Sequence, residues 1–278
     1  MKRAIVTASV FAAGVLLALS GAAAPPKGTA DAPVVSSLAP LMQKELHWGM
    51  THQEVTDAYN NPDGIIDREY APKLGRLQPG VEMQELESDK EARKVNFARS
   101  YTQFLDSPTG YDLTPLHEEY TYRNEEAIQR IFREGKNRYF FFIKDHLWRI
   151  YDEVPLKAES PLGPSFKDAV TKLTALLGTP GRVRAPDASQ GIERTTADWQ
   201  DALTHLRCID RSSERLVGVV LEDKRTLATL VTLRANKPVD LFAIDPAITA
   251  VTRGGVTDPN GARARGEADA GAGKGKKK

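Results

Sequence analysis

The sequence predicts an α+β fold built of two repeats. Each repeat is a capped helix packed on an antiparallel meander of three to four strands, and the first carries an additional long helix. Three observations lead there: a helix-start signature that occurs twice, a helix-stop signature behind each copy, and apolar segments broken by turn residues downstream of both.

The first copy opens at Gly49-Met50-Thr51-His52-Gln53-Glu54-Val55. Thr51 with Glu54 fits a capping box, in which the hydroxyl accepts from the N–H of Glu54 and the carboxylate reaches back to the N–H of Thr51. Met50 before the cap and Val55 after it suit a hydrophobic staple, and Asn61-Pro62-Asp63-Gly64 is the stop. The second copy, Gly163-Pro164-Ser165-Phe166-Lys167-Asp168-Ala169, repeats the cap with a shorter acid. Phe166, Val170, Leu173 and Leu177 recur at helical spacing and make one apolar stripe. Gly178 suits the left-handed residue after a helix, and Pro180 prevents resumption. The caps align at an offset of 114 residues and the stop prolines at 118, so the second helix is about one turn longer.

Downstream, 139–143, the turn Lys144-Asp145-His146 and 147–151 read as strand, turn, strand. The segments 216–221, Glu222-Asp223-Lys224 and 226–233 read the same way at an offset of 78. Upstream, 127–133 with Gly135-Lys136-Asn137 matches 203–210 with Arg211-Ser212-Ser213. A period this long means duplicated small domains rather than a solenoid.

The Gly-Met-Thr-x-x-Glu-Val opening and the Val-x-x-Leu-x-x-Leu-Leu-Gly-x-Pro ending resemble the small envelope-protein superfamily that contains the outer-membrane-assembly small lipoproteins. The tandem arrangement is similar to secreted β-lactamase inhibitor proteins, in which two helix-plus-sheet units lie side by side. The compatible patterning covers 48–234. The resemblance implies fold more than function. Two departures stand out: there is no lipid-attachment cysteine, and the insertion at 65–115 is far longer than the plain unit needs.

Lys2-Arg3, an apolar run over 4–19, and then Ser20-Gly21-Ala22-Ala23-Ala24 have the three parts of a cleavable signal peptide over 1–24, an uncleaved anchor being the alternative. No other run approaches the ~20 apolar residues that span a bilayer, so the expected location is periplasmic or secreted. A lead-in rich in Ala, Pro, Gly and Ser, read as flexible, covers 25–40. The first repeat is placed at 41–156 with its helical insertion at 65–115, and the second at 157–251. Within the insertion 82–105 reads as one long amphipathic helix; 118–122 is expected to start the first sheet, and 182–189 to be a connection. The tail, 252–278, holds seven Lys or Arg against three Asp or Glu, a net of +4, and too little apolar surface to order itself. It reads as a solvated terminus, contact with an anionic polymer or membrane being the alternative. The whole chain carries +1; without Lys2, Arg3 and the tail, 25–251 carries −5, which argues against a nucleic-acid surface.

No nucleophile elbow, phosphate loop or dinucleotide fingerprint occurs, and His47, His52, His117, His146 and His205 lack metal-site spacing. No catalytic residue, metal or cofactor is therefore assigned. Cys208, the single cysteine, reads as a buried thiol on a strand, and Trp48 and Trp199 read as core. The segment 139–143 is apolar on both faces, where a strand with one wet face alternates. One face meets the repeat's own helix. The other is covered by the long helix, by the second repeat or by an external partner, which makes Tyr139, Phe141, Trp148 and Tyr151 the partner-binding candidates. The expected function is that of an exported, non-catalytic interaction or scaffolding module of the bacterial cell envelope, with an envelope or secreted protein as partner. A periplasmic hydrolase with its site between the lobes, or a secreted enzyme inhibitor, is the alternative.

Overall fold

The two caps form as their residues dictate. Thr51 Oγ1 accepts from the Glu54 N–H at 3.2 Å while the Thr51 N–H donates to Glu54 Oε2 at 2.8 Å, which starts α1 (His52–Asn60). These details belong to a computed structural model of the 278-residue chain, which describes residues 31–106, 116, 119–133, 136–187, 189 and 192–236. The signal-peptide reading at 1–24, the start of the lead-in and everything from 237 on, the basic tail included, lie outside the described residues. No described helix is long and apolar enough to cross a membrane.

Val55 and Tyr59, one turn apart on α1, are completely buried. Tyr59 packs edge-on to Phe140 with ring centroids 5.5 Å apart. The insertion supplies α2 (Ile65–Leu74) and α3 (Val81–Arg99), held together by Tyr70 Oη donating to Asp89 at 2.5 Å and by the ion pair Lys94–Asp67 at 2.6 Å. The helix expected over 82–105 stops earlier. Ser100 leaves the helix, its Oγ accepts from the Arg130 N–H at 3.0 Å, and the chain turns into β1 (Thr102–Phe104). The first sheet strand is therefore β1, and Tyr120 and Tyr122 of the 118–122 segment lie outside the strands.

The strands that follow are β2 (Glu126–Arg133), β3 (Lys136–Ile143) and β4 (His146–Pro155). Then comes α4 (Phe166–Leu177), capped by Ser165 Oγ on the Asp168 N–H and closed by Gly178 at φ 69°. After it run β5 (Arg182–Arg184), β6 (Thr196–Gln200), β7 (Thr204–Arg211) and β8 (Leu216–Asp223). All are antiparallel and form one sheet in the order β1-β2-β3-β4-β8-β7-β6-β5. A single eight-stranded sheet thus replaces the separate three- to four-stranded meanders expected, because the last strands of the two runs, β4 and β8, pair along Arg149–Pro155 and Leu216–Glu222.

A second correction concerns 226–233. It is not a strand but α5 (Lys224–Leu233), because Asp223 Oδ2 accepts from the Thr226 N–H at 3.1 Å and caps a helix. Leu227, Leu230 and Leu233, three apart, pack on the sheet, while Val231 on the far side is 90% exposed. The stretch read as a connection at 182–189 contains β5.

Helices α1 to α4 and the N-terminal segment cover one face of the sheet, and α5 lies on the other. On the first face Val55, Tyr59, Ile66 and Phe97 pack with Phe140, Phe142 and Ile150; Leu173 packs with Trp199, Leu206, Cys208 and Leu221. Each such side chain contributes about 1.5–3 kcal/mol on burial. The lead-in is packed from residue 31 on: Val35 N–H donates to the Gln200 carbonyl at 2.8 Å, Leu38 N–H reaches Asp201 Oδ2 at 2.6 Å, and Leu38 is buried. Residues 33–38 therefore bind the β6 end of the sheet before the chain crosses to α1.

At the seam, Gly218 on β8 lies beside Tyr151 on β4; a Cβ there would sit 2.3 Å from the Tyr151 hydroxyl oxygen and 2.7 Å from Cζ. Glycine lets the buried ring lie across the join, although glycine inside a strand is otherwise unfavourable. Gly218→Ala should destabilise the protein by about 1–3 kcal/mol, read as a lower urea midpoint; an unchanged midpoint would show that the ring is free to move away.

Candidate functional site

The four aromatic candidates come together on the sheet face opposite the main helices, and all are buried: Tyr139, Phe141, Trp148 and Tyr151 are 3%, 1%, 0% and 1% exposed. Tyr139 and Tyr151 meet edge to face at 6.3 Å. Leu116, Tyr120 and the leucines of α5 cover them, together with Phe104 of β1. Internal coverage, one of the readings left open by the sequence, is what occurs here, and α5 provides it together with Phe104, Leu116 and Tyr120. Burial pushes the Tyr151 phenol up to about 12. The Tyr139 phenol is also raised, by burial and by Glu153, whose Oε2 accepts its hydroxyl proton at 3.0 Å.

Beyond this aromatic patch the same face becomes charged, and the register shows how. Phe141 pairs with Arg149 and Phe142 with Leu147, which leaves Trp148 as an extra residue. That β-bulge breaks the alternation, so Arg149 faces the same side as Trp148, its guanidinium 4.0 Å from the indole centroid. Arg149, Glu222 and His205 then lie opposite one another across β4, β8 and β7. The neighbouring row runs Tyr139, Tyr151, Val220, Arg207, Asp198, Arg182. Its first half is aromatic and apolar, and its second half is ionic.

Together these residues line a basin of about 520 Å³ with five arginines (149, 182, 184, 194, 207), four carboxylates (119, 193, 198, 222) and His205. Arg149 bonds Glu119 Oε2 at 2.6 Å and Glu222 Oε1 at 2.8 Å, and Arg207 reaches the same two carboxylates at 2.9 Å. Arg182 forks onto Asp198. His205 stands between Glu222 at 3.0 Å and Asp198 at 3.6 Å. Burial opposes the charge on Glu222, but Arg207 and Arg149 outweigh it and hold the carboxyl well below its usual range. The same contest, won by Arg207 and Arg149, lowers Glu119. At Asp198, His205 and Arg182 overcome burial and lower it too. Burial alone would lower His205; the two carboxylates overturn that and raise it, against repulsion from Arg207.

Sequence reasoning placed none of these residues, since charges scattered from 119 to 222 form no motif. The bulge has no single-residue signature. A weak signal existed: Thr196-Ala197-Asp198-Trp199-Gln200 and His205-Leu206-Arg207-Cys208 each alternate polar with apolar residues, the pattern of strands whose second face is polar.

Of the other expected features, Cys208 is buried on β7 and burial pushes its thiol up to about 12, so little thiolate forms. Trp199 is buried, and Trp48 is half-buried with its Nε1 donating to Thr204 Oγ1 at 3.0 Å. Among the described residues, no three His, Cys, Asp or Glu side chains are arranged to hold a metal ion.

Glu222→Gln should cost about 3–5 kcal/mol in stability, because Arg149 and Arg207 lose the carboxylate they share; a loss under about 1 kcal/mol would mean that solvent already screens the network. The raised His205 has the opposite pH sign to the carboxylates. Its contribution is complete below its ordinary value near ~6.5 and disappears as pH rises through the folded value. Stability relative to His205→Gln should therefore decline above about pH 6.5, seen as converging urea midpoints; parallel midpoints would rule out the linkage.

No protein-family model, curated protein or solved structure matches this chain.

Proposed function

We propose that the chain is an exported, non-catalytic interaction module of the bacterial cell envelope, built from two helix-plus-meander repeats, with the charged basin as its contact surface. The strand order supports the duplication: read outward from the seam, β4-β3-β2-β1 on one side answers β8-β7-β6-β5 on the other. Under this reading α1 and α4 are equivalent, and β8 answers β4 rather than the β3 that the sequence alignment pairs it with.

The observation that carries the function is the basin itself. Five arginines and four carboxylates line it beside a histidine whose affinity for protons is raised, and Arg194 also pairs with Glu214 at 2.8 Å. Arginine forks recognise carboxylates with both strength and geometry, so the fitting partner is a protein surface that presents Asp or Glu side chains. The carboxylates inside are held ionised by arginine neighbours, which suits charge pairing better than proton transfer. The signal-peptide pattern supports an envelope or secreted setting.

Affinity capture from crosslinked envelope extract tests this, with the full mature chain as bait and a folded Arg184→Glu/Arg194→Glu double variant as control. One partner at near-equal amounts, with an acidic contact surface and lost with the variant, is the expected result. Equal capture by both baits would refute the basin as the contact surface. Turnover of an ester or peptide substrate that depends on His205 would favour the hydrolase instead.

A further inference from the structure

The helical face holds a second and larger concavity, separate from the basin. Its floor is Ile150 and Val154 of β4 with Val219 and Leu221 of β8, one wall is Leu173 and Leu176 of α4, and Pro40–Leu41 form the other. The turn after β4 closes one end with Lys157, Glu159 and Ser160. The volume is about 790 Å³, within the range of about 300–1,000 Å³ typical of small-molecule sites.

We propose that this cleft binds an amphiphile with a single apolar chain and an anionic head, carboxylate or phosphate. Three observations converge. The floor and the α4 wall are aliphatic, and Leu176 is 63% exposed at the mouth although it sits on the inward side of an otherwise packed helix. Lys157 and Lys172 stand at the same end of the cleft, and among the described residues neither is in an ion pair; Lys172 Nζ only donates to the Ser160 carbonyl at 3.4 Å. Two cations against Glu159 leave that end positive. The other charged pair in the lining, Arg138 and Asp152, is closed on itself by bonds of 2.6 and 2.7 Å and contributes no free charge.

The third observation is Ser160. It is 5% exposed, it lines the cleft, and its Oγ has no hydrogen-bond partner among the described residues. A buried hydroxyl left without a partner is unfavourable, and a head-group oxygen lying between Lys157 and Lys172 would accept from it. The apolar chain would then run along the floor under Leu176. The site straddles β4 and β8, so only the assembled sheet creates it.

The test is calorimetric titration of the full mature chain with dodecanoate, dodecyl phosphate and dodecyltrimethylammonium, each below its micelle concentration. One dodecanoate per chain is expected, with the cationic amphiphile at least about tenfold weaker. A preference between dodecanoate and dodecyl phosphate supports the site and identifies the head group. Leu176→Glu, a change at an exposed position that leaves the core intact, should weaken dodecanoate about tenfold or more. Lys172→Glu should remove the preference for anions while circular dichroism stays unchanged. Absence of saturable binding, equal affinity for the cationic amphiphile, or an unaffected Leu176→Glu variant would each overturn the proposal.

Discussion

The pairing of β4 with β8 is the constraint on which the rest of the structure depends. Each strand is the inner edge of its own meander, and without the join both would expose unpaired backbone groups beside buried side chains. The join buries Ile150 and Leu221 on one face and Tyr151 and Val220 on the other. It also sets Arg149 opposite Glu222, so charge pairing and apolar packing specify the same register. A slip of one residue would turn every side chain to the wrong face.

The charged half of the sheet follows from that register. An ion network as buried as Arg149 with Glu119 and Glu222 is rarely more stabilising than apolar side chains of equal volume. Its consequence is a face on which charges stand in fixed positions at a sheet surface. The aromatic half shows the contrast, because there Leu116, Tyr120, Tyr122 and α5 close over the sheet. Arg234 at the end of α5 forks onto Glu126 at 2.8 Å and lies 5.4 Å from the Trp148 ring centroid, tying the cover to the strands beneath.

Local chemistry was legible in the sequence. The caps at Thr51 and Ser165 depend on residues three apart, and Gly178 needs only its own backbone freedom, so each could be read without knowing the rest. The doubly apolar segment 139–143 was legible as a strand buried on both faces. What covers it was not, because α5 lies some eighty residues later and its short run of Leu, Val and Thr residues also reads as a strand. Asp223 decides the matter: it ends β8 and caps α5 in one step. The end of α3 was misplaced for a similar reason, since Ser100 stops the helix through Arg130, a partner thirty residues away.

By itself the sequence determined the α+β class, the positions of the two capped helices, the strands of the two meanders apart from β1, β5, β6 and the segment that became α5, and the burial of Cys208 and Trp199. These rest on propensities and periodicities that act within one or two turns of chain. Only the tertiary structure decided that the strands make one sheet, that Trp148 is bulged, and that Arg149, His205, Arg207 and Glu222 share a basin. Each of those depends on the register between strands distant in sequence, which no local pattern encodes, and the cleft beneath α4 exists only once that register is set.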